Sequence, residues 1–240
     1  AFVDAAGNLW VVGDGADNSL GISDDTGVSD EFELSDGWGG TTTVNGQDRV
    51  YLVASGPRIF ISMRGGNDRV SFGSFEESAC CSRSVMLQCD EGNDLVSLHE
   101  YSAMGPLTVD LGPGDDRFVA GEDSSVQELT LAGGEGADRV VIAGYSGVHG
   151  DATIDLGPGV DELVWGDSPV HSLSVDGGLD PDTILIGEAS LAGHATLTGG
   201  PGDDLVAEDG VHAFTAAGGE KGPLDIDAGV GADRVFLRGP

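Results

Sequence analysis

The chain has 240 residues, with 42 acidic against 10 basic side chains and a formal net charge of -32. Such a chain offers no basic surface to a phosphate backbone and repels anionic lipid, and no window is long and apolar enough to cross a bilayer, so nucleic acid and membrane insertion are excluded. Divalent cations, cationic ligands or a salty medium remain as partners, and a plain solubilising acidic surface is the alternative reading of the charge.

One phrase, Gly-x-Gly-x-Asp-x-Val, recurs ten times down the chain, centred on Asp17, Asp48, Asp68, Asp94, Asp116, Asp138, Asp161, Asp182, Asp204 and Asp233. From Asp94 to Asp204 the steps are 22, 22, 23, 21 and 22 residues. A fixed step of this size is the mark of a solenoid, in which each repeat is one coil that buries its apolar stripe only against its neighbours. Residues 1–50 fit this phase poorly and are expected to form an irregular cap or degenerate first coils, with GVSDEFEL (27–34) as a degenerate repeat. Residues 51–240 are expected to be the solenoid itself. The three cysteines, Cys80, Cys81 and Cys89, fall within one coil. One of the adjacent pair could close a small loop with Cys89, which would point to an oxidising compartment, or all three are free thiols. No signal peptide is visible and the chain starts without Met, as expected of a mature chain or an excised piece.

Aligned on the aspartate, the repeats show apolar stripes. Two residues after it come Val50, Val70, Val96, Phe118, Val140, Leu163, Ile184, Val206 and Val235, with Ser19 breaking the pattern in the first repeat. Four residues after it come Leu52, Phe72, Leu98, Ile142, Trp165, Ile186 and Leu237. This period-two alternation predicts a short strand after each aspartate. A second strand precedes the turn, with inward pairs such as Leu107/Val109, Leu129/Leu131 and Leu173/Val175. A third apolar position holds Met104, Val126, Val148, Val170 and Leu191. Helical periodicity is absent and glycine interrupts every run. The predicted fold is all-β: a parallel β-helix, or β-solenoid, right-handed and three-sided, with about 22 residues per coil. Ten coils at a strand spacing of ~4.8 Å make a rod about 45 Å long.

Glycine stands two residues before the aspartate in nine of the ten turns and four residues before it in seven, Asp180 being the exception at the first of these positions. Alternating glycines open positive φ and can turn carbonyls toward one point, and calcium takes six to eight such oxygens together with carboxylates. The candidate metal ligands are Asp94, Asp116, Asp138, Asp161, Asp182, Asp204 and Asp233, with Gly114, Gly134, Gly136, Gly159, Gly200 and Gly202 supplying carbonyls. The competing reading is that Asp and Gly are good turn formers, the aspartate capping its own turn or pairing with Arg49, Arg69, Arg117, Arg139 or Arg234 beside it. GGEGAD (133–138) and GGPGDD (199–204) match in full the hemolysin-type calcium-binding (RTX) pattern GGxGxD followed by x-U-x, and LGPGDD, LGPGVD and AGVGAD lack only its first glycine. The chain resembles that family at its turns. The resemblance implies Ca2+ held between successive turns, folding coupled to calcium, and secretion to the cell exterior or surface. RTX repeats usually place two turns in each coil, whereas this chain has one.

On the outward face run a hydroxyl row, Thr108, Thr130, Thr153, Ser174, Thr196 and then Asp225, and a mixed row, Asp110, Ala132, Asp155, Asp176, Thr198 and Asp227. The first resembles the Thr arrays of ice-binding solenoids, although Thr also favours strands for its own sake and Asp disfavours ice. His149 and His171, 22 residues apart, should stack as a solvated row or a pair able to bind a transition metal. Asp155 and Asp176 on neighbouring coils could pose as an acid/base pair of a carbohydrate-active β-helix, a polysaccharide lyase or hydrolase. They belong to a repeating ladder, however, and no nucleophilic constellation stands out. The leading expectation is a calcium-binding extracellular β-solenoid serving as a structural or adhesive module, with a surface glycan or a protein as its partner.

Overall fold

The computed structural model describes residues 1–24, 30–37, 42–73, 83–99, 102–121, 123–144, 146–166, 168–187, 193–208 and 224–237. Among them the protein is all-β, without helix, and is a β-solenoid whose parallel pairings recur about every 22 residues. Each coil contributes one strand before its turn to a first sheet and one strand after it to a second. In chain order the pairs are Leu9–Val12 with Ser19–Ser23, Arg58–Ser62 with Arg69–Phe72, Ser84–Gln88 with Leu95–Leu98, and Leu107–Asp110 with Arg117–Ala120. They continue as Leu129–Ala132 with Arg139–Ile142, Gly147–Asp155 with Glu162–Trp165, Val170–Asp176 with Thr183–Ile186, Ala195–Thr198 with Leu205–Glu208, and Leu224–Asp227 with Arg234–Leu237. These pairs are numbered here as coils 1 to 9.

The registers follow the repeat residue for residue. Leu107 lies opposite Leu129, Phe118 opposite Val140, and Leu163 opposite Ile184. Alternation within each strand turns one set of side chains inward, where Phe118, Val140, Leu163 and Trp165 are fully buried. The third apolar position forms a short third strip in the middle coils, in which Met104, Val126, Val148 and Val170 lie in register. Leu191 lies outside the described residues, as do Cys80 and Cys81.

The N-terminal end departs from the repeat in two ways. Ser19 pairs with Arg69 and Leu20 with Val70, so Asn18, rather than Asp17, occupies the aspartate position of coil 1. Shifting the frame by one residue restores the apolar stripe at Leu20, which is 2% exposed, and removes the anomaly at Ser19. Asp48 lies in no solenoid coil. The strand after it, Arg49–Val53, runs antiparallel to Glu31–Ser35, which in turn runs antiparallel to Ser19–Ser23. The phrase around Asp48 therefore makes a hairpin arm that closes the edge of the second sheet, and among the described residues nine strand pairs stand where the motif count predicts ten. Phe2–Val3 closes the edge of the first sheet in the same antiparallel sense. Reversing strand direction ends the parallel stacking and masks backbone groups that would otherwise template another chain.

Buried Arg83 fastens this cap to coil 3. Its guanidinium sits over the Phe32 ring at 5.1 Å, pairs with Asp30 and donates to the Ala54 carbonyl. At the other end no described residue covers coil 9, and among the described residues its inward Val235 and Leu237 are exposed.

Candidate functional site: the aspartate row

The turns stack so closely that two positions exclude a side chain. A Cβ on Gly114 would stand 1.6 Å from the Gly92 carbonyl oxygen, and one on Gly136 1.9 Å from that of Gly114. Four residues before the aspartate, a Cβ on Gly134 would stand 2.0 Å from the Gly112 oxygen, and one on Gly200 2.0 Å from that of Gly178. Gly159 and Gly202 repeat the first contact against Gly136 and Asp180. Close approach and backbone conformation both call for glycine, with φ at 131° in Gly136, 113° in Gly134 and 104° in Gly200. Their carbonyls point along the solenoid axis at the α-carbon of the next coil, a weak C–H···O arrangement familiar between strands. Asp180, where the motif loses its glycine, still adopts a positive φ of 75°, so the turn keeps its shape.

The aspartates form one continuous row inside these turns. Asp68, Asp94, Asp116, Asp138, Asp161, Asp182 and Asp204 are all buried, each 3% exposed or less. The backbone N–H of each donates to the Oδ1 of the aspartate one coil later. Asp94 N–H reaches Asp116 Oδ1 at 2.6 Å, Asp116 N–H reaches Asp138 at 2.9 Å, and Asp138 N–H reaches Asp161 at 2.7 Å. Asn18 N–H opens the row on Asp68 Oδ1, and Asp204 N–H closes it on Asp233, which is only partly buried. One carboxylate oxygen per coil therefore replaces a ladder hydrogen bond where the backbone turns the corner.

The second oxygen is different. Oδ2 of all seven buried aspartates has no hydrogen-bond partner. A buried ionised carboxylate with an orphaned oxygen is costly, and the group responds by holding a proton or taking a cation. Burial pushes the carboxyls up to about 7 at Asp116, Asp161 and Asp182 and about 6 at Asp94 and Asp138, against the pull of the backbone hydrogen bond, and neighbouring carboxylates add to the rise. Asp68 and Asp204 are raised for the same first reason.

What Oδ2 meets depends on the residue five before the aspartate. In three coils this is Gly133, Gly177 or Gly199. The space a Cβ would fill there lies 2.5 Å from Asp138 Oδ2 and 2.4 Å from the Leu156 carbonyl, 2.8 Å from Asp182 Oδ2 and 2.5 Å from the Gly199 carbonyl, or 2.7 Å from Asp204 Oδ2 and 2.5 Å from the Ala228 carbonyl. In the other coils the same position holds Met63, Cys89, Leu111 or Leu156, each buried. Cys89 is a free thiol, and its pKa is raised by burial and then by the charges of Asp94, Asp116 and Asp68. Among the described residues no three acidic, histidine or cysteine side chains converge as a metal-binding group. A cation here would draw on carbonyls as much as on carboxylates.

Two further rows were not singled out by the sequence reading. Ser102, Ser124, Ser146 and Ser168, spaced 22 apart, are buried at the corner after the second strand. They donate to local carbonyls, Ser124 Oγ to Gly121 at 2.8 Å and Ser146 Oγ to Ala143 at 2.9 Å. Their spacing was a readable signal, hidden because serine is common in turns. A second polar ladder lies one residue before the aspartates, where Asn93 N–H donates to Asn67 Oδ1, Asp115 N–H to Asn93 Oδ1 and Ala137 N–H to Asp115 Oδ1. It runs in the opposite direction to the buried row and is exposed.

The outer rows lie where the repeat puts them, Thr108, Thr130, Thr153, Ser174, Thr196 and Asp225 in register, and Asp155 opposite Asp176. Both aspartates are exposed members of a flat face. His149 and His171 are exposed, and a register shift follows Val148, between it and Asp151. Arg139 pairs with Glu162 of the next coil at 2.6 Å rather than with the row.

No protein-family model, curated protein or solved structure matches this chain. The likeness to the RTX repeat rests on the turn motif alone.

Proposed function

We propose that the chain is a calcium-stabilised β-solenoid that acts outside the cell as a structural or adhesive surface module. The observation that carries this reading is the row of seven buried aspartates with an unpartnered Oδ2. In a chain of net charge -32, an aligned row of desolvated carboxylates favours uptake of a divalent cation. Calcium accepts the mixture of carboxylate and carbonyl oxygens that these turns offer.

The residues that fit best are Asp138, Asp182 and Asp204. Beside them a glycine α-carbon, rather than an apolar side chain, faces Oδ2, and the carbonyls of Leu156, Gly199 and Ala228 lie close by. These coils include both full GGxGxD matches. In the coils of Asp68, Asp94, Asp116 and Asp161 a buried Met63, Cys89, Leu111 or Leu156 stands at that position, and an apolar neighbour favours the neutral carboxyl instead. A bound ion would neutralise the charge and tie adjacent coils together, making folding sensitive to a calcium-rich exterior.

The test is far-UV circular dichroism and thermal melting at pH 8, with excess calcium and with chelator. Calcium at 100 times its dissociation constant should add about 2.7 kcal/mol per occupied site. Superimposable melts would sink the calcium reading and leave the motif as turn chemistry.

A further inference from the structure

The two outer faces of the solenoid differ in charge. On the second sheet, the first outward column reads Arg69, Leu95, Arg117, Arg139, Glu162, Thr183, Leu205 and Arg234 from coil 2 to coil 9. The next column reads buried Ser71, then Ser97, Val119, Val141, Val164, Leu185 and Ala207, all half-buried, and exposed Phe236. These sixteen positions hold four arginines and one glutamate, while the whole chain carries -32. From coil 4 onward the second column is an unbroken apolar stripe on the outside of the molecule. Toward its C-terminal end it borders a groove of about 760 Å³, lined by Val164, Leu185, Ala207 and Phe236 among others.

From coil 4 onward the first sheet presents the opposite chemistry, whereas in coils 1 to 3 the column of Thr108 holds Trp10, Phe60 and Met86. Asp110, Asp155, Asp176, Asp225 and Asp227 are all exposed on its outer face, between hydroxyl side chains of Thr108, Thr130, Thr153 and Ser174. Both faces belong to the same stack, so their columns share one coil-to-coil rise of ~4.8 Å. Adjacent arginines on one face, Arg117 and Arg139, therefore have the spacing of adjacent aspartates on the other, Asp155 and Asp176.

We propose that the chain assembles side by side with copies of itself, the outer face of the second sheet of one copy seating on the outer face of the first sheet of the next. Arginines meet aspartates, and the apolar stripe packs on the threonine methyls. At about 0.15 M salt, charges beyond ~8 Å are largely screened, so contacts in the interface outweigh the overall repulsion. The contact is heterologous, every assembly keeps one free face of each kind at its two ends, and the products are open rows rather than closed dimers. A face of nine strands, about 40 Å by 13 Å, lies at the low end of stable interfaces, so association is weak and rises with concentration.

Sedimentation velocity of the intact chain in calcium-containing buffer, from micromolar to several hundred micromolar, tests this. The wild type should move to dimers and larger species as concentration rises. Leu185→Asp on the stripe should stay monomeric, and so should the double substitution Asp155→Lys, Asp176→Lys on the other face. Because Leu185 is half-buried, Arg117→Glu with Arg234→Glu, both exposed, is a second way to disable the same face. Circular dichroism confirms that each variant is folded. The deciding measurement is a mixture: a stripe variant with intact aspartates and an aspartate variant with an intact stripe should form a 1:1 dimer that neither forms alone. A wild type that stays monomeric throughout would overturn the proposal. So would an aspartate double variant that self-associates like the wild type, which would mean that two second-sheet faces pair with each other.

Discussion

The buried carboxyl row makes the stability of the metal-free protein depend on pH in an unusual direction. Most paired aspartates are held below their ordinary pKa and lose stability in acid. Here burial raises the folded values to about 6 at Asp94 and Asp138 and about 7 at Asp116, Asp161 and Asp182. Between the unfolded value near 3.8 and these folded values, the native state binds more protons than the unfolded state. Stability therefore falls as pH rises from about 4 to about 7 and levels off above. For Asp138 alone, a rise from 3.8 to about 6 corresponds to about 3 kcal/mol. The aspartates of the row share hydrogen bonds and fields, so their contributions do not simply add.

Urea titrations of the chelated protein at pH 8, 6.5 and 5, followed by circular dichroism, should show the midpoint rising as pH falls. Asp138→Asn should flatten part of that dependence and stabilise the chelated protein at pH 8, as coil 1 already places Asn18 at the equivalent position. With saturating calcium the same substitution should destabilise, because a ligand is lost. A chelated protein whose midpoint falls between pH 8 and pH 5 would refute the reasoning, since the carboxyls would then be ionised and stabilised in the fold.

Other outcomes follow from the stacking. Gly114→Ala places a Cβ 1.6 Å from the Gly92 carbonyl oxygen, which cannot move without breaking the turn of the preceding coil. It should lower the melting temperature by more than a buried large-to-small change such as Leu163→Ala, which costs about 2–5 kcal/mol. Ser146→Ala removes the donor to Ala143 O and should cost about 1 kcal/mol in a denaturant melt, without changing the calcium response.

Most of the solenoid was legible in the sequence because the coil is a local unit repeated in phase. The 22-residue step, the alternating stripes and the glycines all describe one coil, and stacking copies it. Residues 1–50 were expected to be irregular, but two of their motifs do not join the row, for the same reason. Asp17 and Asp48 carry the right motif, but Asn18 takes the place of the first and the second sits on an antiparallel arm. A turn motif is local, whereas strand direction is settled by what the strand packs against.

By itself, the sequence determined that the chain is a β-solenoid, where its turns lie, and which residues face inward, since side-chain period and turn chemistry are properties of short segments. Only the tertiary structure decided that the aspartates are buried, with one oxygen tied to the preceding coil and the other left without a partner. It likewise showed that the glycines stand against carbonyls of the adjacent coil and that the two outer faces differ in charge. These relations join residues 21 to 50 positions apart through the spacing between coils, and they exist only once the coils are stacked.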